Sequence, residues 1–264
     1  MSSRRIGDLD VAWSEAGSGE PVVFLHGLAE DRQTWSHQQA ALSDAHTFAV
    51  DLRGHGETTI GAADGTLAQL ANDLVGFLES VSGPATCVGF SLGGTIVLAA
   101  AAARPDLVRR AIVIGTSSVV GRAAAAFYAT RIEMAEGGID AAFADALRSD
   151  TRAGLALDSH DLDELAAARV RAIGDGAGYV NAARAMARLR EEPLTDALPT
   201  IGSHVDVVGA DQDAFCPRKA ADLLLAGLPD ATYHEIPAAG HLVGVDAPDA
   251  LAALLRSLLV EVSR

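Results

Sequence analysis

Cysteine is nearly absent: Cys87 and Cys216 are the two in 264 residues. That is too few for a disulfide framework, and they lack the paired spacing of a structural zinc site. Cys87 falls in an apolar run and reads as a small buried hydrophobe rather than a redox group. Basic charge is also scarce. Twenty Lys and Arg against 35 Asp and Glu leave a formal net charge of −15, which repels polyanions and leaves little to condense on a phosphate backbone or an anionic bilayer. Nucleic acid is therefore not expected as a partner. An anionic small molecule stays open, because one arginine in a pocket outweighs a distant net charge that salt screens. Long apolar runs are missing as well: the polar, basic start at Met1 to Arg5 has no apolar stretch behind it, and no run is long enough to span a bilayer. The expectation is a cytoplasmic protein with no membrane partner. With 49% hydrophobic and 21% charged residues, the chain has the makings of one folded core rather than disorder.

Short apolar runs rich in β-branched residues alternate with longer helical patterns, which implies parallel strands joined by helical crossovers and hence an α/β fold with a mostly parallel central sheet flanked by helices. Candidate core strands are residues 21–25, 47–50, 85–90, 111–114, 205–208 and 232–236, after an N-terminal hairpin between Arg5 and Ala16. Between them, residues 67–81 carry helical spacing behind Thr66, a natural N-cap with Gln69 three residues on. Residues 92–104 read as an alanine-rich buried helix that Pro105 helps end, and leucines at three- and four-residue steps mark a last helix over 250–262. Residues 117–196 break the alternation, with much alanine, two glycine clusters and no convincing strand. They are expected to form an inserted helical lid over a core made of 1–116 and 197–264, where inserted helices can bind a ligand and exclude water.

The run Gly89-Phe90-Ser91-Leu92-Gly93-Gly94 follows an apolar strand and opens a helix, the context that gives a G-x-S-x-G match meaning. Glycines flank the serine because side chains there would collide with the neighbouring strand and helix, so the hydroxyl is pushed out of the sheet. Ser91 is the expected nucleophile. The Leu92 N–H, at a helix N-terminus, is placed to stabilise an oxyanion. His26-Gly27-Leu28 emerges from another strand at the same sheet edge, making the Leu28 N–H the second donor and His26 a loop brace. Asp51 to Gly56 reads as a turn held by charge-assisted bonds rather than as a catalytic cluster.

The loop Gly209 to Pro217 offers two acids, Asp213 and Asp211. Asp213, four residues before Pro217, is the choice, with Asp211 as the alternative. Pro237 to Gly240 leads from the final strand to His241, the expected general base. His37, His46, His160, His204 and His234 lack a comparable position. The order Ser, Asp, His is one known way of assembling a triad.

These loops, in this order across nearly the whole chain, resemble the α/β-hydrolase superfamily. Within it the chain is most similar to the 3-oxoadipate enol-lactonase and small esterase group, through Gly115-Thr116, Arg131, Gly178-Tyr179 and the general length. The lid entry, Thr116 to Gly121, lacks the lysine of that group. The resemblance implies no metal or organic cofactor and hydrolysis through an acyl-enzyme: an ester or lactone hydrolase of small molecules. A hydrolase of carbon–carbon bonds in ring-cleavage products uses the same triad, and a ligand-binding module on a hydrolase fold is the non-enzymatic alternative. A dehalogenase is disfavoured because position 91 is serine rather than a carboxylate. Phe127, Tyr128, Met134 and Tyr179 read as packing, and Arg131 as a candidate anchor for a substrate carboxylate. The alanine-rich, uncharged helix faces suit a homodimer and an ordinary core equally.

Overall fold

A computed structural model describes residues 1–261. The sheet has eight strands: β1 (Ser2–Ile6), β2 (Leu9–Ala16), β3 (Pro21–Leu25), β4 (His46–Val50), β5 (Ala85–Phe90), β6 (Val108–Ile114), β7 (Val205–Ala210) and β8 (Ala231–Ile236), in the order β1-β2-β4-β3-β5-β6-β7-β8. The β1–β2 and β2–β4 pairs are antiparallel and the rest parallel. All six expected core strands are present, and the expected hairpin begins a few residues earlier, at Ser2.

Strand β5 is buried from end to end, as its unbroken apolar run requires. Alternate residues of the central strands feed the two faces. Val23, Leu25, Cys87 and Val113 pack with the helices α2 (Leu67–Phe77) and α3 (Leu92–Ala103), which follow the short helix α1 (Ser36–Ala41) in the chain. Val22, Phe24, Val88 and Ile112 pack on the opposite face with Leu251, Leu255 and Leu258. Thr66 caps α2, its hydroxyl accepting the Gln69 N–H at 3.1 Å. The expected helix over 67–81 is α2 followed by a wider π-type turn, Leu78–Ser82. Helix α3 buries nine of its residues, Leu92 through Leu98 with Ala100 and Ala101, which its small side chains permit.

The segment between β6 and β7 contains four α-helices, α4 (Arg122–Glu136), α5 (Ala141–Ala153), α6 (Leu162–Ile173) and α7 (Ala177–Arg188), then a 3-10 helix, Leu194–Thr200, and no strand. They share a cluster built on Phe143, Leu147, Ile173 and Tyr179, against which Leu28 of the core packs. The last helix is Pro248–Glu261, and Val262 of the expected 250–262 lies outside the described residues. Among the described residues no helix is long and apolar enough to cross a membrane.

Candidate active site

Strand β3 lies between β4 and β5, so the chain leaves its carboxyl end in one direction and returns beside it from the other. This switch of direction opens a crevice at the carboxyl edge. The register pairs Leu25 with Gly89, so the loops after β3 and β5, carrying Leu28 and Ser91, emerge side by side.

Ser91 occupies a left-handed conformation, φ 51° and ψ −115°. Its N–H donates to the Ile114 carbonyl at 2.8 Å, and the Thr116 hydroxyl donates to the Ser91 carbonyl at 3.2 Å. A Cβ on Gly89 would stand 2.4 Å from the Gly93 carbonyl, and one on Gly93 would stand 2.4 Å from the Leu25 carbonyl. No side chain fits at either position, the physical reason for the glycine pattern read from the sequence.

The structure brings Ser91, His241 and Asp213 together. The Ser91 hydroxyl lies 3.1 Å from His241 Nε2, and His241 Nδ1 lies 2.8 Å from Asp213 Oδ2. A carboxylate accepts only, so Nδ1 carries the proton and Nε2 is free to accept from the serine. Asp213 Oδ1 accepts the N–H groups of Phe215 and Cys216, each at 2.8 Å. Burial alone would raise the Asp213 carboxyl, but the His241 hydrogen bond and charge, with those two N–H donors, hold it below the usual range. Asp211 instead accepts the Ala239 N–H at 3.2 Å and braces the loop. The rings of Phe90 and Phe215 sit 5.0 and 5.2 Å from the His241 ring, and Phe127 lies 6.4 Å from Phe215, so the imidazole is walled by aromatics.

Leu92 opens α3, and a helix's first N–H has no partner within the helix. The Leu28 N–H has no hydrogen-bond acceptor among the described residues, while the peptide that carries it is fixed by its neighbours. His26 Nε2 accepts the Leu52 N–H at 3.0 Å, so Nδ1 bears the proton and donates to the Gly27 carbonyl at 2.8 Å. In a trans peptide this points the Leu28 N–H the opposite way. Burial drives His26 down to about 4 and so keeps it neutral. The Gly27 N–H donates to the buried Glu30 carboxyl at 3.0 Å, and burial pushes that carboxyl up. Both residues thus brace the loop, the role expected of His26.

The turn after β4 is also structural. Asp51 accepts from Arg32 and from the Glu57 N–H, and Arg53 grips Asp8 and Asp73 with paired bonds of 2.7 to 3.0 Å. Arg131 is not free to anchor a carboxylate: its Nε and Nη2 are both held at 2.8 Å by Asp150, and its guanidinium lies 5.0 Å from the Phe127 ring centre. That pairing satisfies the fork that a substrate carboxylate would need, and it corrects the expectation.

Three contributors carry no local sequence signal. The Asp246 side chain is buried and accepts the N–H groups of Gly240 and Ala156, each at 2.8 Å, joining the His241 loop to the segment just after α5. Glu30 and Arg169 act on the Leu28 loop from outside the motifs.

The chain belongs to the alpha/beta hydrolase fold family, whose sequence model matches residues 20–248. Among its relatives is the (E)-2-((N-methylformamido)methylene)succinate hydrolase of Acinetobacter baylyi, 33% identical over 102 residues, a match spanning 38% of this chain and 39% of that enzyme. The pyrrolizixenacetamide deacetylase of Xenorhabdus hominickii is 26% identical over 98% of both chains. The crystal structure of the enol-lactonase from Burkholderia xenovorans LB400 superposes with a TM-score of 0.87 at 22% identity, covering 98% of this chain and 100% of that one.

Proposed function

We propose that the protein is a serine hydrolase that cleaves a small carboxylic ester or lactone through an acyl-enzyme. The observation that carries this reading is the continuous relay from the Ser91 hydroxyl at 3.1 Å to His241 and on at 2.8 Å to Asp213. His241 takes the Ser91 proton as Oγ attacks the substrate carbonyl, and the N–H groups of Leu28 and Leu92 hold the resulting oxyanion. The imidazolium, stabilised by Asp213, then protonates the leaving oxygen. In the second half His241 deprotonates a water that attacks the acyl carbon, and Ser91 leaves with the proton returned.

Helices α4 to α7 form the lid in this reading, and the aromatic wall of Phe90, Phe127 and Phe215 favours a compact apolar acyl group. The enol-lactonase neighbour supports the lactone side of the proposal, and the full-length deacetylase relative supports acyl transfer from a heteroatom over carbon–carbon cleavage. The test is labelling by a fluorophosphonate combined with a panel of p-nitrophenyl esters, enol-lactones, acetamides and vinylogous diketones. Stoichiometric labelling lost in Ser91→Ala, with the highest kcat/KM on esters or lactones, supports the proposal. No labelling of folded protein points to a ligand-binding module, and a best kcat/KM on diketones points to the carbon–carbon reaction.

A further inference from the structure

Helix α6 reaches the Leu28 loop through one side chain. Arg169 donates from Nη2 to the Leu28 carbonyl at 3.1 Å, from Nε to the Ala29 carbonyl at 3.3 Å and from Nη1 to the Thr151 hydroxyl at 2.9 Å. The buried Thr151 passes its own proton to the Leu147 carbonyl at 2.7 Å, so the guanidinium is anchored on α5 as well as on the loop. Among the described residues Arg169 forms no ion pair; its charge is spent on neutral acceptors and on the field at Glu30.

The two carbonyls it holds bracket a strained stretch. Ala29 stands in the left-handed region at φ 59°, a conformation that costs about 1 kcal/mol for a residue with a Cβ and persists only where its surroundings enforce it. The Gly27–Leu28 peptide is already fixed by His26 on its carbonyl side. The Leu28–Ala29 peptide has Arg169 as its clamp. With both flanking planes held, the dihedrals of Leu28 are set, and with them the direction of the N–H assigned above to the oxyanion.

We infer that Arg169 is a positioning residue for the oxyanion donor, carrying the placement of α5 and α6 to the Leu28 N–H. The inference rests on the Ser91 reading of the site. It predicts that substrate association with the aromatic-walled pocket is indifferent to Arg169, whereas stabilisation of the tetrahedral intermediate depends on it. A transition state that loses a well-aimed donor slows by about a hundredfold or more, so misorienting one is expected to cost about tenfold to a hundredfold in kcat with KM little changed.

The surroundings make the residue open to chemical complementation. A cleft of about 460 Å³ is lined by Arg169 together with Glu30, Thr151, Leu165 and Leu242, so a small cation can reach the vacancy that truncation leaves. The experiment compares wild type, Arg169→Ala, Arg169→Gln and Arg169→Lys on p-nitrophenyl acetate, with circular dichroism as the check on folding and fluorophosphonate labelling rates in parallel. Arg171→Ala, which removes an exposed arginine paired with Glu164 on the same helix, is the control and keeps wild-type kcat. The expected result is a fall in kcat for the alanine and glutamine variants at nearly constant KM, a smaller fall for lysine, and saturable recovery of Arg169→Ala activity by millimolar guanidinium that equal concentrations of sodium chloride do not produce. If Arg169→Ala does not fold, the kcat and KM of Arg169→Gln decide. A kcat within threefold of wild type, or a loss confined to KM, overturns the inference while leaving the Ser91 reading intact. Failure of wild type itself to label or turn over overturns the reading on which it rests.

Discussion

Ser91 stands at φ 51° in a turn where two glycines are enforced because a Cβ at either would stand 2.4 Å from neighbouring backbone. The strain holds the hydroxyl at the sheet edge and aims it at one imidazole. Within that pair Asp213 has the sharpest single-residue prediction. Asp213→Asn turns the tautomer of His241 around, because an amide can donate where the carboxylate only accepts, and kcat should fall by about three to four orders of magnitude. Asp211→Asn, which touches only the Ala239 N–H, should stay within a few-fold of wild type; steady-state kinetics on one ester decide both. His26 has a prediction in pH. Its burial lowers it from 6.5 to about 4, so between those values the unfolded chain takes up a proton that the folded chain refuses. The stabilisation is complete above 6.5 and is lost as the pH falls toward 4. With about 1.4 kcal/mol per unit, the loss amounts to about 3 kcal/mol. His26→Gln, which can keep both hydrogen bonds, should show a correspondingly flatter decline of unfolding free energy over that window in urea titrations at stepped pH.

Among the elements, Ser91, Asp213 and His241 were legible because each sits just beyond the carboxyl end of a strand that the sequence pattern marks, where turn residues follow. The structure seats Asp213 on His241, as chosen from its place before Pro217, with Asp211 as the alternative because the fold of the loop decides which carboxylate turns inward. Arg169 was illegible: its acceptors Leu28 and Ala29 lie about 140 positions away in the chain, and an arginine on a polar helix looks like solvated surface. The short helix Ser36–Ala41 and the helix Arg218–Gly227 are also absent from the pattern read in the sequence. Residues 117–196 were read correctly as helical and strandless, but their packing was not. There Gly178 meets Gly54 back to back, and a Cβ on Gly178 would stand 2.1 Å from the Gly54 carbonyl. Gly178→Val should therefore push α7 off the turn after β4, costing about 1 to 3 kcal/mol with a lower Tm by calorimetry. A Tm equal to wild type would mean that the contact is not needed.

Over the whole molecule, polypeptide leaves the sheet at β6 and rejoins it at β7, strands that pair directly with Ile114 opposite Val208. Because the two strands are parallel, the four helices depart from the carboxyl edge after Ile114 and the chain returns at the amino edge at Val205, while the strands themselves stay paired side by side. Under the proposed function this makes selectivity and bond-breaking separable inheritances, with α4 to α7 exchanged like a cassette at the expense of the contacts made by Arg169 and Asp246. A chimera carrying the corresponding helices of another hydrolase, with an arginine kept at the Arg169 position, should retain fluorophosphonate labelling of Ser91 while its substrate ranking follows the donor.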